Sequence, residues 1–156
     1  MANRLVDLLI TYRIVKGMTT PFDKTDAFKL GIIDKNGKVL RKAKDLNTEQ
    51  EKDAYTILDR FIFNIKRIMG KFGLNSSLSS FAVALALFLK ESKEMQKHKL
   101  LIESTIISYL KQINVYDNMI KEVKDIKEHN ETPIMTCFGI DIYERKGELV
   151  TEYENA

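Results

Sequence analysis

FAVALALFLKESKEMQKHKLLIESTIISYLKQINVYDNMIKEV, residues 81–123, is the stretch that decides the fold class. Stepping alternately by four and three residues from Phe81 meets Leu85, Phe88, Ser92, Met95, Lys99, Ile102, Ile106, Tyr109, Ile113, Tyr116, Ile120 and Val123, and eleven of these thirteen positions are apolar. A repeat averaging about 3.5 residues keeps one helix stripe turned toward a neighbouring helix, the pattern of a coiled-coil seam or a long bundle helix. The two polar exceptions, Ser92 and Lys99, flank or lie in the run ESKEMQKHK, so the spacing predicts helices over 77–93 and 99–129 with a break between them. NVYDN, 114–118, is a second candidate break. Phe81, Leu85, Phe88, Ile102, Ile106, Tyr109, Ile113, Tyr116 and Ile120 are the candidate oligomer-interface positions. Periodicity does not say whose surface covers them, so an intermolecular seam and an intramolecular bundle both stay open.

On the N-terminal side, Leu5, Leu8, Leu9, Tyr12 and Val15 recur at helical spacing between Arg4, Asp7, Arg13 and Lys16. Such a stripe ordinarily faces the protein's own core, which is the expectation here, with docking on a partner as the alternative. FKLGIIDKNGKVLRK then places two apolar runs either side of Asn36-Gly37, a hairpin signal because both residues tolerate positive φ, and a β-hairpin is expected over 28–41. Asp23 to Asp26, DKTD, reads as turn and cap chemistry. A second helix is expected from Thr48, which has capping-box spacing to Glu51, to Gly70 or Gly73. Ser76, Ser77, Ser79 and Ser80 mark a polar hinge before the third helical region. Beyond Pro133 the alternation of Phe138, Ile140 and Ile142, then Leu149 and Val150 around Arg145-Lys146-Gly147-Glu148, signals a hairpin.

The expectation is therefore a mainly α protein with small β-hairpins, an α+β helical bundle that includes a coiled-coil-like helix suited to oligomerisation. At 156 residues it fits a single domain, 1–156, with a basic helix-hairpin-helix part (1–72), a long helical part (75–130) and an acidic hairpin tail (131–156). The first 44 residues carry 10 basic and 4 acidic side chains, and the tail from Glu131 carries 6 acidic and 2 basic, so the net +3 conceals a polarised chain. Arg60, Asn64, Arg67 and Lys71 align as a stripe on the second helix, and with Arg41, Lys42 and Lys44 the basic members are candidate nucleic-acid contacts. Asp53 and Asp59 lie close by, which favours a solvated face over a phosphate-binding one.

Reactive chemistry is sparse. One cysteine, Cys137, excludes an internal disulfide, and with two histidines it falls short of a zinc site built from those residues alone. No nucleophile motif accompanies Cys137, His98 or His129, the Gly-Lys pair lacks the spacing of a phosphate loop, and Asp23, Asp26 and Asp34 lack that of a calcium loop. No catalytic residue, cofactor or metal is expected, and the chain is not read as an enzyme. Its most apolar run, residues 81–89, is too short to span a bilayer, and no secretion signal is evident, so a soluble intracellular protein without membrane contact is expected.

TPFDKTDAFKLGIIDKNGKVLRK, followed by EKDAYTILDRFIFNIKRIM, resembles a family of small proteins of tailed, T4-like bacteriophages. The shared pattern is a YRIVK-type helix, TPF, KTDAFKLGIID, a Gly-Lys turn, DAYT and R-x-x-F-N-x-K-R, spanning residues 12–69. The resemblance implies a virus-encoded protein made in the host bacterial cytoplasm during infection, a virion, prohead-core or capsid-assembly component that self-associates and binds other phage proteins. It transfers no catalytic residue. A nucleic-acid-associated accessory protein is the alternative function.

Overall fold

The computed structural model describes residues 4–72, 78–120 and 132–151, and the side chains of residues 71, 72 and 120 lie outside that description. A helix of 16 residues, α1 (Arg4–Thr19), leads into a long loop that holds the short α2 (Asp26–Lys29). After it come α3 (Glu49–Ala54), α4 (Ile57–Phe72), α5 (Leu78–Glu91), a 3-10 segment over Lys93–His98, α6 (Lys99–Gln112) and α7 (Tyr116–Ile120). Three antiparallel strands follow, β1 (Met135–Cys137), β2 (Ile140–Arg145) and β3 (Glu148–Val150), in the order β1-β2-β3. The expected class, mainly helical with a small antiparallel β element, is the observed one.

The centre of the main core is α5. Phe81, Ala82, Ala84, Leu85, Ala86, Phe88 and Leu89 are all buried, so the helix is apolar on nearly every side and needs cover all round. It packs against α4, all three strands and the 3-10 segment, while α1 lies against both α4 and α6. Phe61 of α4 stacks on Phe88 of α5 with centroids 4.9 Å apart. Ile102, Ile106 and Leu110 of α6 enter the same cluster at 0–1% exposure.

Most described residues of the periodic seam are thus covered by their own chain. Phe81, Leu85, Phe88, Ile102 and Ile106 are buried in the main core, Tyr109 and Tyr116 pack partly against it, and Ile113 is 38% exposed. Ile120 sits on described backbone but its side chain, like residues 121–129 of the predicted helix, lies outside the description. As oligomer-interface positions Phe81, Leu85, Phe88, Ile102 and Ile106 are corrected, because a side chain at 0–4% exposure inside one chain has almost no surface left to offer another. The unbroken helix over 99–129 is corrected too. Asn114 takes φ +62 between α6 and α7, and its N–H and that of Val115 turn back to the Lys111 and Leu110 carbonyls. Asparagine tolerates that left-handed conformation, so NVYDN is a real break.

The single helix expected from Thr48 is two. Thr48 and Glu51 form the predicted capping box of α3, but Thr56 begins α4 with a second one. Its hydroxyl accepts from the Asp59 N–H at 3.2 Å, and the Asp59 carboxylate accepts from the Thr56 N–H at 3.0 Å. In DKTD it is Thr25 that acts as a cap, accepting from the Phe28 N–H at the start of α2.

The hairpin expected over 28–41 does not form. Phe28 belongs to α2, and the two arms meet in one isolated bridge, Ile33 to Val39, with the Asp34 N–H donating to the Lys38 carbonyl and the Leu40 N–H to the Ile32 carbonyl, and form no strand. Ile32 and Ile33 are consecutive and both buried, at 0% and 1%, which an alternating half-buried strand does not allow. The turn itself is present. Asp34 accepts from the Lys38 and Asn36 N–H groups at 2.9 and 2.8 Å, and those amides, Lys38 foremost, hold its carboxyl below the usual carboxylate value. Gly37 takes φ +84 and lies so close to Phe22 that a Cβ there would sit 2.4 Å from the ring. This loop closes over a second, smaller core of Ala27, Ile32, Ile33, Leu46, Tyr55 and Phe63. Lys66 ties it to α1, donating to the Thr20 carbonyl with its ammonium 4.2 Å from the centroid of Phe22. Burial lowers the pKa of that lysine.

The C-terminal hairpin is present as β2 and β3, joined by Lys146-Gly147 with φ +52 and +80. The same two-residue geometry, Phe138-Gly139 with φ +53 and +76, joins β1 to β2. A phenylalanine in this region costs roughly 1–2 kcal/mol. It is held by burial of its ring and by Glu103 of α6, whose carboxylate accepts the Phe138 N–H.

Candidate docking surface

Apolar residues are distributed over most of the α1 cylinder, and the packing uses one side. Ile10, Ile14 and Met18, at four-residue steps, are buried against the main core. The stripe read from the sequence is on the other side, with Leu5 at 82% exposure, Leu8 at 66%, Leu9 at 55%, Tyr12 at 58% and Val15 at 42%. The expectation that this stripe faces the core is overturned.

Anchors on both sides set the rotation of α1. Toward α4, the Arg13 guanidinium donates to Thr56 Oγ1 at 2.7 Å and lies 3.3 Å from Asp59. Gly17 backs onto Ile62 so closely that a Cβ would lie 2.8 Å from it. Toward α6, Asp7 is 3.3 Å from His98 Nδ1, and the Tyr109 hydroxyl reaches the Met18 carbonyl at 3.5 Å. With those contacts made, the Leu5–Val15 stripe has only one direction to point, away from the core.

Beside the stripe runs a groove of about 260 Å³ between α1 and α6, lined among others by Thr11, Val15, Leu101, Ser104, Ser108 and Gln112. Ser104 and Ser108, four residues apart, keep the exposed side of α6 low. The surroundings are cationic. The only carboxylate of α1 is Asp7, already beside His98, and the only carboxylate of α6 is Glu103, buried at 8%. Arg4, Lys16 and Lys111 are exposed on these two helices, Lys16 with its ammonium 5.7 Å from the Tyr12 ring centroid and Lys111 5.2 Å from that of Tyr116.

The six candidate nucleic-acid contacts are not assembled into one unopposed patch. Arg41 pairs with Glu51, whose pKa is thereby held down at about 2, Arg60 pairs with Glu91 at 2.9 Å, and Arg67 donates to the Gly37 carbonyl at 2.7 Å. Lys42 and Lys44 are exposed on the long loop, and the Lys71 side chain lies outside the described residues. Arg60 and Arg67 flank a groove of about 320 Å³ between α4 and α5, where Glu91 offsets the charge of Arg60.

Cys137 is buried, and burial pushes its thiol up to about 12, which keeps it protonated and unreactive at neutral pH. Lys99 donates to the Thr136 carbonyl and lies 3.6 Å from Glu103, so these groups join α6 to the β1-β2 turn. Among the described residues no group of three or more His, Cys, Asp or Glu side chains is placed to hold a metal ion, and no helix is long and apolar enough to cross a membrane.

Sequence reasoning missed the α6 wall of the groove. The signal was available in Ser104 and Ser108, which lie opposite the Ile102-Ile106 seam at helical spacing. Compared with protein-family models, with curated proteins and with solved structures, the chain matches none.

Proposed function

We propose that this protein is a non-enzymatic association module that binds other proteins through the outward face of α1 and the adjoining α1–α6 groove. One observation carries the reading: five apolar side chains at 42–82% exposure share one face of a helix that docks through the opposite side by Ile10, Ile14 and Met18. Contiguous exposed apolar surface of several hundred Å² marks interaction sites on folded proteins. The setting is suggested by the resemblance over residues 12–69, which is to proteins of tailed bacteriophages, and in that setting the module is a prohead-core or virion component.

The seam over residues 81–120 no longer supplies the binding surface in this reading, and α1 takes its place. The nucleic-acid alternative is weakened because Arg41, Arg60 and Arg67 are engaged within the chain. Co-sedimentation with phage particles and proheads from infected cells tests the proposal. Wild-type protein is expected in the particle fractions, and the double variant Leu8→Asp/Tyr12→Asp, folded by circular dichroism, is expected to stay in the supernatant. Equal recovery of both, or absence of both from every particle fraction, refutes it.

A further inference from the structure

Resting on the association reading above, we infer that the occupant of the α1–α6 groove is an amphipathic helix of another protein, apolar on its docking face and acidic along its flanks. The shape argues for a helix. The groove is an open trough between two packed helices, low along Ser104 and Ser108, with Thr11 and Val15 on its α1 wall and the exposed Leu8 and Tyr12 farther round the same helix. Small side chains let a third helix approach closely, and the apolar residues supply the pockets for its anchors.

The charge argues against a second copy. An α1–α1 pair in either direction sets Arg4 and Lys16 of one chain near Arg4 or Lys16 of the other, and the two helices carry only two carboxylates, Asp7, 3.3 Å from His98, and the buried Glu103. Like charges facing across an interface oppose it, whereas carboxylates on a partner's flanks meet Arg4, Lys16 and Lys111 favourably. The five exposed side chains of the α1 stripe together with the adjoining groove are the surface offered, against the roughly 800 Å² per partner of a standard complex.

The test is a titration of the full chain with synthetic helical peptides of about 18 residues, five turns, carrying leucine at heptad a and d and either glutamate or lysine at e and g. Peptide binding is read by fluorescence anisotropy, with two parallel measurements: sedimentation equilibrium of the protein alone, and flotation with phosphatidylcholine vesicles containing phosphatidylglycerol. The glutamate peptide is expected to bind at least about tenfold more tightly than the lysine peptide, with the preference falling as salt rises. Leu8→Asp is expected to abolish binding, and Arg4→Glu/Lys16→Glu to reverse the preference, with the unfolding midpoint of each variant unchanged. Equal binding of the two peptides, or no binding of either at millimolar concentration, overturns the inference. So does a Leu8-dependent dimer, which assigns the face to a second copy, or Leu8-dependent flotation without peptide binding, which assigns it to a lipid surface. If the acidic helix fails while Leu8 and Tyr12 still govern particle association, the partner chemistry falls and the association reading stands.

Discussion

Replacing Ile106 by alanine separates a core residue from an interface residue. Ile106 is 1% exposed in the main core. The substitution deletes three carbons, worth about 0.8 kcal/mol each in transfer from water, and leaves a cavity whose walls relax only partly. The expected loss is about 4 kcal/mol, within the range of roughly 2–5 for such truncations. With a urea slope of about 2 kcal/mol/M for a domain of this size, the midpoint falls by about 2 M. Leu100 of the same helix, 75% exposed, is the control, and its alanine variant is expected to stay within about 0.5 kcal/mol of wild type. Both are measured by urea unfolding followed by circular dichroism at two protein concentrations well apart. An intrachain core residue gives the same loss at both, whereas a seam between chains gives one that changes with concentration. A loss under about 1 kcal/mol for Ile106→Ala, or one that varies with concentration, refutes the placement of α6.

At Glu103, removal of the carboxylate leaves the buried Phe138 N–H without its acceptor. Glu103→Ala is expected to lose about 1–3 kcal/mol and Glu103→Gln, which keeps an acceptor oxygen, clearly less, measured by thermal unfolding. Gly37→Ala adds a Cβ 2.4 Å from the Phe22 ring at φ +84, and it is expected to destabilise by more than about 1 kcal/mol, with faster amide exchange across Ile32 and Ile33. Glu51 supplies a pH test. The Arg41 guanidinium, foremost, and the Thr48 and Asn47 amides lower its pKa from 4.5 to about 2, so the unfolded chain takes up that proton first. Its contribution is complete above pH 4.5 and is lost as pH falls toward 2, so the stability difference between wild type and Glu51→Gln is expected to shrink over that window. A constant difference in pH-dependent thermal melts contradicts the pairing.

The parts of the fold legible from sequence are those in which a local pattern has one physical solution. Thr48 with Glu51, and Lys146-Gly147 between alternating strands, are of this kind: capping and turn chemistry depend on the few residues involved. Phe81 to Ile106 gave a correct apolar stripe, and only the identity of the covering surface was left to the structure. Two failures have a shared cause. On α1, the buried set Ile10, Ile14 and Met18 and the exposed set Leu5, Leu8, Leu9, Tyr12 and Val15 are equally apolar by composition, and what chooses between them is Arg13 meeting Asp59 and Asp7 meeting His98, residues 46 and 91 positions apart. At residues 28–41 the turn signal was right, but Ile32 and Ile33 are both drawn into the small core by Phe63 and Tyr55, and strand pairing gives way. The docking surface was harder to read for the same reason, since exposure is a property of the assembled chain.

The separation of 91 residues between Met18 and Tyr109 also sets a clock. On a ribosome adding about 5–20 residues per second, the α6 segment emerges roughly 5–20 s after α1. Until then the inner side of the first helix has only α4 to lie against, and the surface that will later close on α6 is bare along with the outer stripe. A newborn chain therefore passes through an interval in which its leading helix is open to capture from either side, and the arrival of α6 commits one side to folding and reserves the other for company.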